Sequence, residues 1–306
     1  MLKNMNSRIA RIVVFIILLT GTAGSTSVMS ADLIYITNYD NSTISKFDNT
    51  GAFLSSMTSN LDHPTGIAID SSGNLYAANY QSNSISKFSA TGAFLSSITS
   101  NVSNPYSLAI DATGNLYASN YFANTISKYD ASGNYISSIT TNLNHPAGLA
   151  FDSSGNLFAT NFGNNTISKY SSTGSYISNI TTNLNQPGGL AFNSAGELFV
   201  ANFGNSTISK FGTNGSYISN ISTNLNGPAG LAFDSSGNLF ATNYSGATIS
   251  KFSSAGGYIS SITTNLSGPF GVAIQSTSVP EPSTYALASI AIVVMGAMGR
   301  IKRRRA

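Results

Sequence analysis

PAGLAFDSSGNLFATNFGNNTISKYSSTGSYISNITTNLNQ, residues 146–186, decides the fold. It divides into four short runs. The first, 148–151, is Gly, Leu, Ala and Phe, and ends in an Asp-Ser-Ser-Gly turn at 152–155. The second, 157–161, alternates large and small side chains and breaks at Gly163-Asn164-Asn165. The third, 166–170, leads into Ser-Ser-Thr-Gly at 171–174. The fourth starts at Tyr176 and ends near Thr181. Runs this short, carrying β-branched and aromatic residues between Gly, Asn and Ser turns, are antiparallel hairpin material. None carries an apolar stripe at helical spacing.

The same pattern returns along the chain. Lys46, Lys87, Lys128, Lys169, Lys210 and Lys251 stand 41 residues apart, and so do Pro64, Pro105, Pro146, Pro187, Pro228 and Pro269. A period near 40 with several short strands per unit is the signature of a β-propeller. The first run of each unit is rich in Gly and Ala, as in Gly66-Ile-Ala-Ile69 and Gly230-Leu-Ala-Phe233, which suits a crowded innermost strand. Leu157, Ile167, Ile177 and Ile180, with Phe158 and Tyr170, are expected to fill the space between sheets. One such sheet cannot bury both faces alone, so the sheets must stack.

The ends of the repeat region set the blade number. Leu33-Ile-Tyr-Ile-Thr-Asn38 matches a second run, and Phe270-Gly-Val-Ala-Ile274 matches only a first one. Joined, they make six blades between 32 and 275, one taking three strands from the start of the chain and its innermost strand from the end. The expected fold is therefore all-β, a six-bladed β-propeller of four-stranded antiparallel blades. An open solenoid would leave bare strand edges and need distinct capping repeats, which the sequence lacks.

Pro64-Thr-Gly-Ile-Ala-Ile-Asp70-Ser-Ser-Gly-Asn-Leu-Tyr-Ala-Ala-Asn79, followed by Asn83-Ser-Ile-Ser-Lys-Phe88, resembles an NHL repeat. The resemblance covers 32–275 and implies kinship with six-bladed propellers of the gluconolactonase-like and streptogramin-lyase-like groups. NHL repeats often carry Asp at the end of the second strand; here Asn38, Asn79, Asn120, Asn161, Asn202 and Asn243 stand there, which argues against an acidic central site.

Both ends of the chain read as addresses. Lys3, Arg8 and Arg11 precede a short apolar run, 12–19, and small residues follow, so 1–31 reads as a signal peptide cleaved near 23–31. The run is too short for a comfortable span. At the other end, a linker at 276–284 contains Val279-Pro280-Glu281-Pro282. An apolar segment at 285–299 follows, then a basic stop of Arg300, Lys302, Arg303, Arg304 and Arg305 within 300–306. Motif, apolar segment and basic end in that order resemble a PEP-CTERM sorting signal. The resemblance implies a Gram-negative bacterium, an exosortase-type sorting enzyme and the inner membrane as partners, and transient inner-membrane anchoring. It further implies delivery to the cell surface or extracellular matrix, with an extracellular polysaccharide or envelope protein as final partner.

Charge changes meaning once the ends are set aside. The repeat region holds six lysines and ten carboxylates, a formal charge of −4, although the whole chain is +3. Nucleic-acid binding needs a basic footprint that this region lacks. The absence of cysteine fits an exported domain built without disulfides.

For a site, loops joining strands two and three should share a face with those joining strand four to the next blade. That face is polar and nearly uncharged, and Asn41, Asn83, Asn124 and Asn165, with His63 and His145, are the candidate binding residues for sugar hydroxyls. The competing reading is that Asn merely shapes turns. The two histidines sit at equivalent positions two blades apart, which favours neither a metal nor an acid–base pair. No catalytic residue, metal or cofactor is assigned. Asp70, Asp111, Asp152 and Asp234 read as turn caps, Glu197 as solvent-exposed, and the repeat lysines as solvated residues that guard strand edges and cover apolar surface with their stems. Near-identity of the repeats favours a binding or scaffold module. A propeller enzyme acting on a lactone, glycan or small molecule is the alternative.

Overall fold

Each 41-residue repeat folds into one four-stranded antiparallel sheet, and the innermost strands of six sheets touch in a closed cycle. The computed structural model describes residues 31–277. The unit at 146–186 forms strands Pro146–Phe151, Leu157–Asn161, Thr166–Tyr170 and Tyr176–Ile180. The other units repeat this layout. Ring closure follows the expected scheme: Ala31–Asn38, Thr43–Phe47 and Phe53–Met57 are completed by Pro269–Thr277 as innermost strand. The first and last strands of the ring pair antiparallel from Ala31↔Thr277 to Asn38↔Pro269. The expected leader, linker, apolar segment at 285–299 and basic stop lie outside the described residues. Among the described residues, no helix is long and apolar enough to cross a membrane.

Close packing at the axis explains the glycines of the first strand. A Cβ on Gly148 or Gly189 would collide with the carbonyl oxygens of Gly188 and Ala229 on the next blade. Between blades lie six apolar clusters. One joins Tyr117 and Ile126 of the third blade to Leu149, Leu157 and Tyr170 of the fourth, and the next joins Phe158 and Ile167 to Leu198 and Phe211. Full burial of such side chains stabilises the fold by roughly 1.5–3 kcal/mol each. Proline opens each inner strand, where its missing N–H breaks no ladder bond, and the pairing register shifts just after it.

Buried polar groups form a second, repeated framework. Asn161 is fully buried: its Oδ1 accepts from the Asn144 N–H, and its Nδ2 donates to the Thr166 and Ser168 hydroxyls. Ser168 in turn donates to the Asn142 carbonyl. The five equivalent asparagines do the same, so each blade grips its own incoming loop. This is the repeated turn device expected from sequence. A hydroxyl one residue earlier clasps neighbours: Thr160 accepts from Gly148 N–H and donates to the Gly188 carbonyl of the next blade. Thr37, Ser119 and Thr242 repeat the clasp.

Three expectations need correction. Ile177 and its counterparts do not fill space between sheets; they lie on the outermost strand, 49% exposed in the case of Ile177, because strand four has no neighbour on its outer side. The repeat lysines are not edge guards. They sit on strand three, which is paired on both sides, and each ammonium lies 4.8–5.4 Å from the centroid of a strand-two aromatic ring, such as Phe158 under Lys169. Their stems do cover apolar surface. Glu197 is not solvent-exposed: it is 2.8 Å from Lys210 and accepts from Asn193 Nδ2.

Candidate functional site

The Asn that ends each second strand is followed by an aromatic residue in every blade: Tyr39, Tyr80, Tyr121, Phe162, Phe203 and Tyr244. All six are half-buried and stand around the channel mouth. Centroids of neighbouring rings are 6.2 Å apart for Tyr39–Tyr80, 5.9 Å for Tyr121–Phe162 and 6.1 Å for Tyr39–Tyr244. Tyr106, from an innermost strand, closes the remaining gap. It lies 6.4 Å from Tyr80 and stacks on Tyr121 at 5.1 Å. Phe270, opposite, packs edge-on to Tyr106 at 4.9 Å and to Tyr244 at 5.9 Å. Equivalent inner-strand positions hold only Thr65, Ala147, Gly188 and Ala229, so two large rings out of six fill the channel top asymmetrically.

Four collar residues, Tyr39, Tyr80, Tyr121 and Tyr244, with Tyr106 and Phe270, bound a cup of about 380 Å³, lined also by Thr65, Phe122 and His145. Its volume falls in the range of small-molecule sites. A second, smaller space of about 40 Å³ lies among Gly66, Gly148, Gly189, Gly230 and Gly271 and shares Tyr106 and Phe270 with the cup. The cup thus has an aromatic wall.

Its polar groups are few and neutral. Among the described residues, the hydroxyls of Tyr39, Tyr80, Tyr106 and Tyr121 have no protein hydrogen-bond partner, whereas Tyr244 donates to Asp40 at 3.3 Å. Burial pushes the pKa of all five phenols above the ordinary value, most of all for Tyr106; nearby Asp40 adds to this for Tyr39 and Tyr244. These phenols therefore remain protonated, as donors and acceptors, at neutral pH. His145 stacks on Tyr121 with centroids 4.8 Å apart and planes 13° apart, and meets Phe122 edge-on. His63 meets Tyr39 edge-on at 4.9 Å, and its Nδ1 is 2.9 Å from Asp62.

The structure brings both histidines to the collar but gives the loop asparagines another task. Asn83, Asn124 and Asn165 adopt positive φ, and each Oδ1 accepts, at 2.6 Å, the N–H of the residue preceding the proline of the next blade: Asn104, His145 and Gln186. Asn41 is not their equivalent. Ser42 occupies their place and binds the His63 N–H, while Asn41 accepts from the Thr43 hydroxyl. All four asparagines are exposed, with Nδ2 groups left for other partners. Asp70, Asp111, Asp152 and Asp234 cap their turns as expected; Asp152 accepts from the Ser154 and Asn156 amides. Among the described residues no group of three or more His, Asp or Glu side chains is placed to hold a metal ion.

The sequence carries the collar's signal, an aromatic residue in every repeat immediately after the strand-two Asn, but its pattern does not show that the six positions meet at one mouth.

Comparison with known proteins agrees with this architecture. The sequence model of the virginiamycin B lyase family matches residues 18–250, and that of the PEP-CTERM protein-sorting motif matches 278–305. No curated protein matches the chain significantly. Among solved structures, the fold is similar to a chain in the crystal structure of a nidogen/laminin complex. The TM-score is 0.72 at 17% identity, over 81% of this chain and 99% of that one. It is also similar to a catalytically inactive virginiamycin B lyase from Staphylococcus aureus with quinupristin. There the TM-score is 0.57 at 17% identity, over 68% and 73% of the two chains. A functionally unknown protein from Desulfotomaculum acetoxidans gives 0.62 at 16%, over 81% and 99%.

Proposed function

The chain belongs to the virginiamycin B lyase family, and from that premise we propose that it is an exported propeller whose aromatic cup binds neutral glycan, serving as a non-catalytic module of the cell surface or extracellular matrix. The carboxy-terminal motif is that of proteins recognised by exosortase-type machinery and marks the chain for export-linked sorting. The division into leader (1–31), ring, linker (276–284), membrane segment (285–299) and basic tail (300–306) belongs to this proposal.

One observation carries the reading: a cup walled by the rings of Tyr39, Tyr80, Tyr106, Tyr121, Tyr244 and Phe270, four of whose phenol hydroxyls have no hydrogen-bond partner among the described residues. Aromatic faces stack on the apolar faces of sugar rings, while hydroxyls exchange hydrogen bonds at their edges. The charge around the mouth comes from Asp40 and Asp62, and the lysines are held at the other end of the strands over their own rings. That pattern suits an uncharged polymer better than an acidic one. The exposed Nδ2 groups of Asn41, Asn83, Asn124 and Asn165 would extend the contact along the rim.

The test is isothermal titration of the 31–277 ring with neutral and uronate-containing oligosaccharides, repeated with Tyr121→Ala. Saturable binding of the neutral set, weakened about tenfold by loss of one stacked ring, is the expected result. Binding that is absent, or that survives Tyr121→Ala and Tyr80→Ala together, sinks the assignment.

A second reading rests on His145. It is the histidine that lines the cup, in a family named for a lyase. If the chain is such an enzyme, it should turn over quinupristin, and His145→Ala should abolish turnover without unfolding the ring. Lack of turnover by the unaltered protein excludes quinupristin as its substrate.

A further inference from the structure

Two positions of the repeat lose their uniformity at the cup. The residue after each collar aromatic is Asp40, Gln81, Phe122, Gly163, Gly204 and Ser245 in blades one to six. In the loop that enters the next blade, two residues before each proline, stand Asp62, Ser103, Asn144, Asn185, Asn226 and Ser267. Only Asp40 and Asp62 are charged, and both belong to the surroundings of one ring, Tyr39. In blade three the first position puts Phe122 into the cup wall, so it is a position of the mouth and not of the framework.

Asp40 is held at that mouth. Its N–H donates to the Ser267 carbonyl at 3.3 Å, and its Oδ1 accepts from the Tyr244 hydroxyl at 3.3 Å. Its Oδ2 has no hydrogen-bond partner among the described residues. A Cβ at Gly268 would lie 2.6 Å from Oδ2, so the glycine leaves the carboxylate its room. Tyr244, Tyr39 and Phe270 form a group of three rings with centroids 5.9–6.2 Å apart, and all three wall the cup. Burial first, then Asp40 and Asp62, raise the Tyr39 phenol, as a negative potential there requires. Asp62 is partly engaged, 2.9 Å from Nδ1 of His63. The lysines of the ring do not compete. Each lies over a strand-two aromatic four residues before the collar one, as Lys46 does over Tyr35, roughly 13 Å away along the strand and beyond the screening length at physiological salt.

We propose that this side of the cup binds a protonated amine, so that its glycan is an otherwise uncharged chain carrying amino sugars; the inference rests on the glycan reading above and adds a charged subsite to it. Ring faces attract an ammonium through their quadrupole, and the carboxylate beside them supplies the opposite charge. One free carboxylate among rings suits an ammonium better than a metal ion, which wants several converging oxygens. The same charge repels uronates. The cup thereby acquires a direction: the amine lies towards Tyr39, Tyr244 and Asp40, and an uncharged neighbouring sugar lies towards Tyr106, Tyr121 and Phe122 on the blade-three side.

The experiment is calorimetric titration of the ring, residues 31–277, which closes by strand pairing and forms a compact unit by itself. The probes are a glucosamine hexamer and an N-acetylglucosamine hexamer, the same chain with and without amines, at about pH 6. The amine-bearing hexamer should bind about tenfold tighter. That preference should fall to about threefold or less in Asp40→Asn, checked for folding by circular dichroism, and likewise in about 1 M salt. Binding of the glucosamine hexamer alone supports the amine subsite and tells against a neutral ligand. Equal binding of the two hexamers overturns the subsite and leaves the glycan reading standing. A preference that Asp40→Asn leaves unchanged also overturns it, since the amine then sits elsewhere. Binding of neither hexamer overturns the glycan reading for this chain and the inference with it.

Discussion

The backbone N–H of His145 donates to Oδ1 of Asn124, 2.6 Å away on the preceding blade. The bond makes one side chain serve two ends. It fixes the loop that presents the histidine to the cup, and it ties neighbouring blades together at their upper rim. Four other seams carry the same bridge through Ser42, Asn83, Asn165 and Ser206. At the sixth, Ala247 stands in that place and has no such group.

Asn124→Ala should therefore act first on stability. It removes this bond and puts alanine at φ 53°, and an expected loss of about 1–2 kcal/mol follows. Asn124→Gly keeps the backbone conformation accessible and should lose less. Asn41→Ala, one position out of register, should stay within about 0.5 kcal/mol of the parent. Urea denaturation of the three variants gives the order directly.

Thr160→Val preserves shape and deletes the clasp between blades four and five. It strands the buried Gly148 N–H and Gly188 carbonyl, at an expected cost of about 2–3 kcal/mol. Thr160→Ser should recover most of it, since Ser119 performs the same task in blade three. Equal losses for Val and Ser would show that volume, not hydrogen bonding, matters there.

The fold should have two pH limits. Burial alone would raise Asp70, Asp111 and Asp152, but hydrogen bonds from Asn74, Asn115 and Asn156 and from turn amides leave all three below the ordinary carboxylate value. Carboxylates with lowered folded pKa stabilise above the unfolded value near 4, and that stability is lost as pH falls through the folded one. At the other end, burial pushes Tyr129 and Tyr170 up to about 12. A phenol raised on folding contributes stability below about pH 10 that disappears as pH rises through the folded value. Urea midpoints should be level between pH 5 and 9, within those limits, and fall outside them.

Glu197 and Asn193 exchange the carboxylate and amide that other blades place as Asp152 and Asn156, and Lys210 follows the carboxylate. The double change Asn193→Asp with Glu197→Asn should be neutral within about 0.5 kcal/mol. Glu197→Asn alone leaves the half-buried Lys210 without its carboxylate, at a cost of up to about 1 kcal/mol. Thermal denaturation of the single and double variants measures the coupling.

Strand boundaries, blade number and ring closure could be read from sequence because each depends on local pattern. Asn161 ends a strand next to a Gly-Asn turn, and a period of 41 counts the blades. What a residue faces depends on which blades meet, and there the reading failed. Ile177 has the alternation of a buried position, yet it sits where the sheet has run out of neighbours. Tyr121 looks like a loop residue, yet it gains meaning from Tyr106, fifteen positions earlier on another strand. The Glu197 exchange is legible only when positions 193 and 197 of the aligned repeats are taken together, Asn193 standing at the aspartate position and Glu197 at the asparagine one.

Closure of the ring by 269–277 also orders events in time. Chains are made from the amino terminus, so five blades are complete while the first still lacks its inner strand and the ring gapes at one seam. The missing piece is the last segment before the sorting motif at 278–305. The propeller is a clasp whose tongue arrives with its own address label. A chain cut just before Pro269 has every blade but one and no closed ring, whereas residues up to 277 are enough to close it.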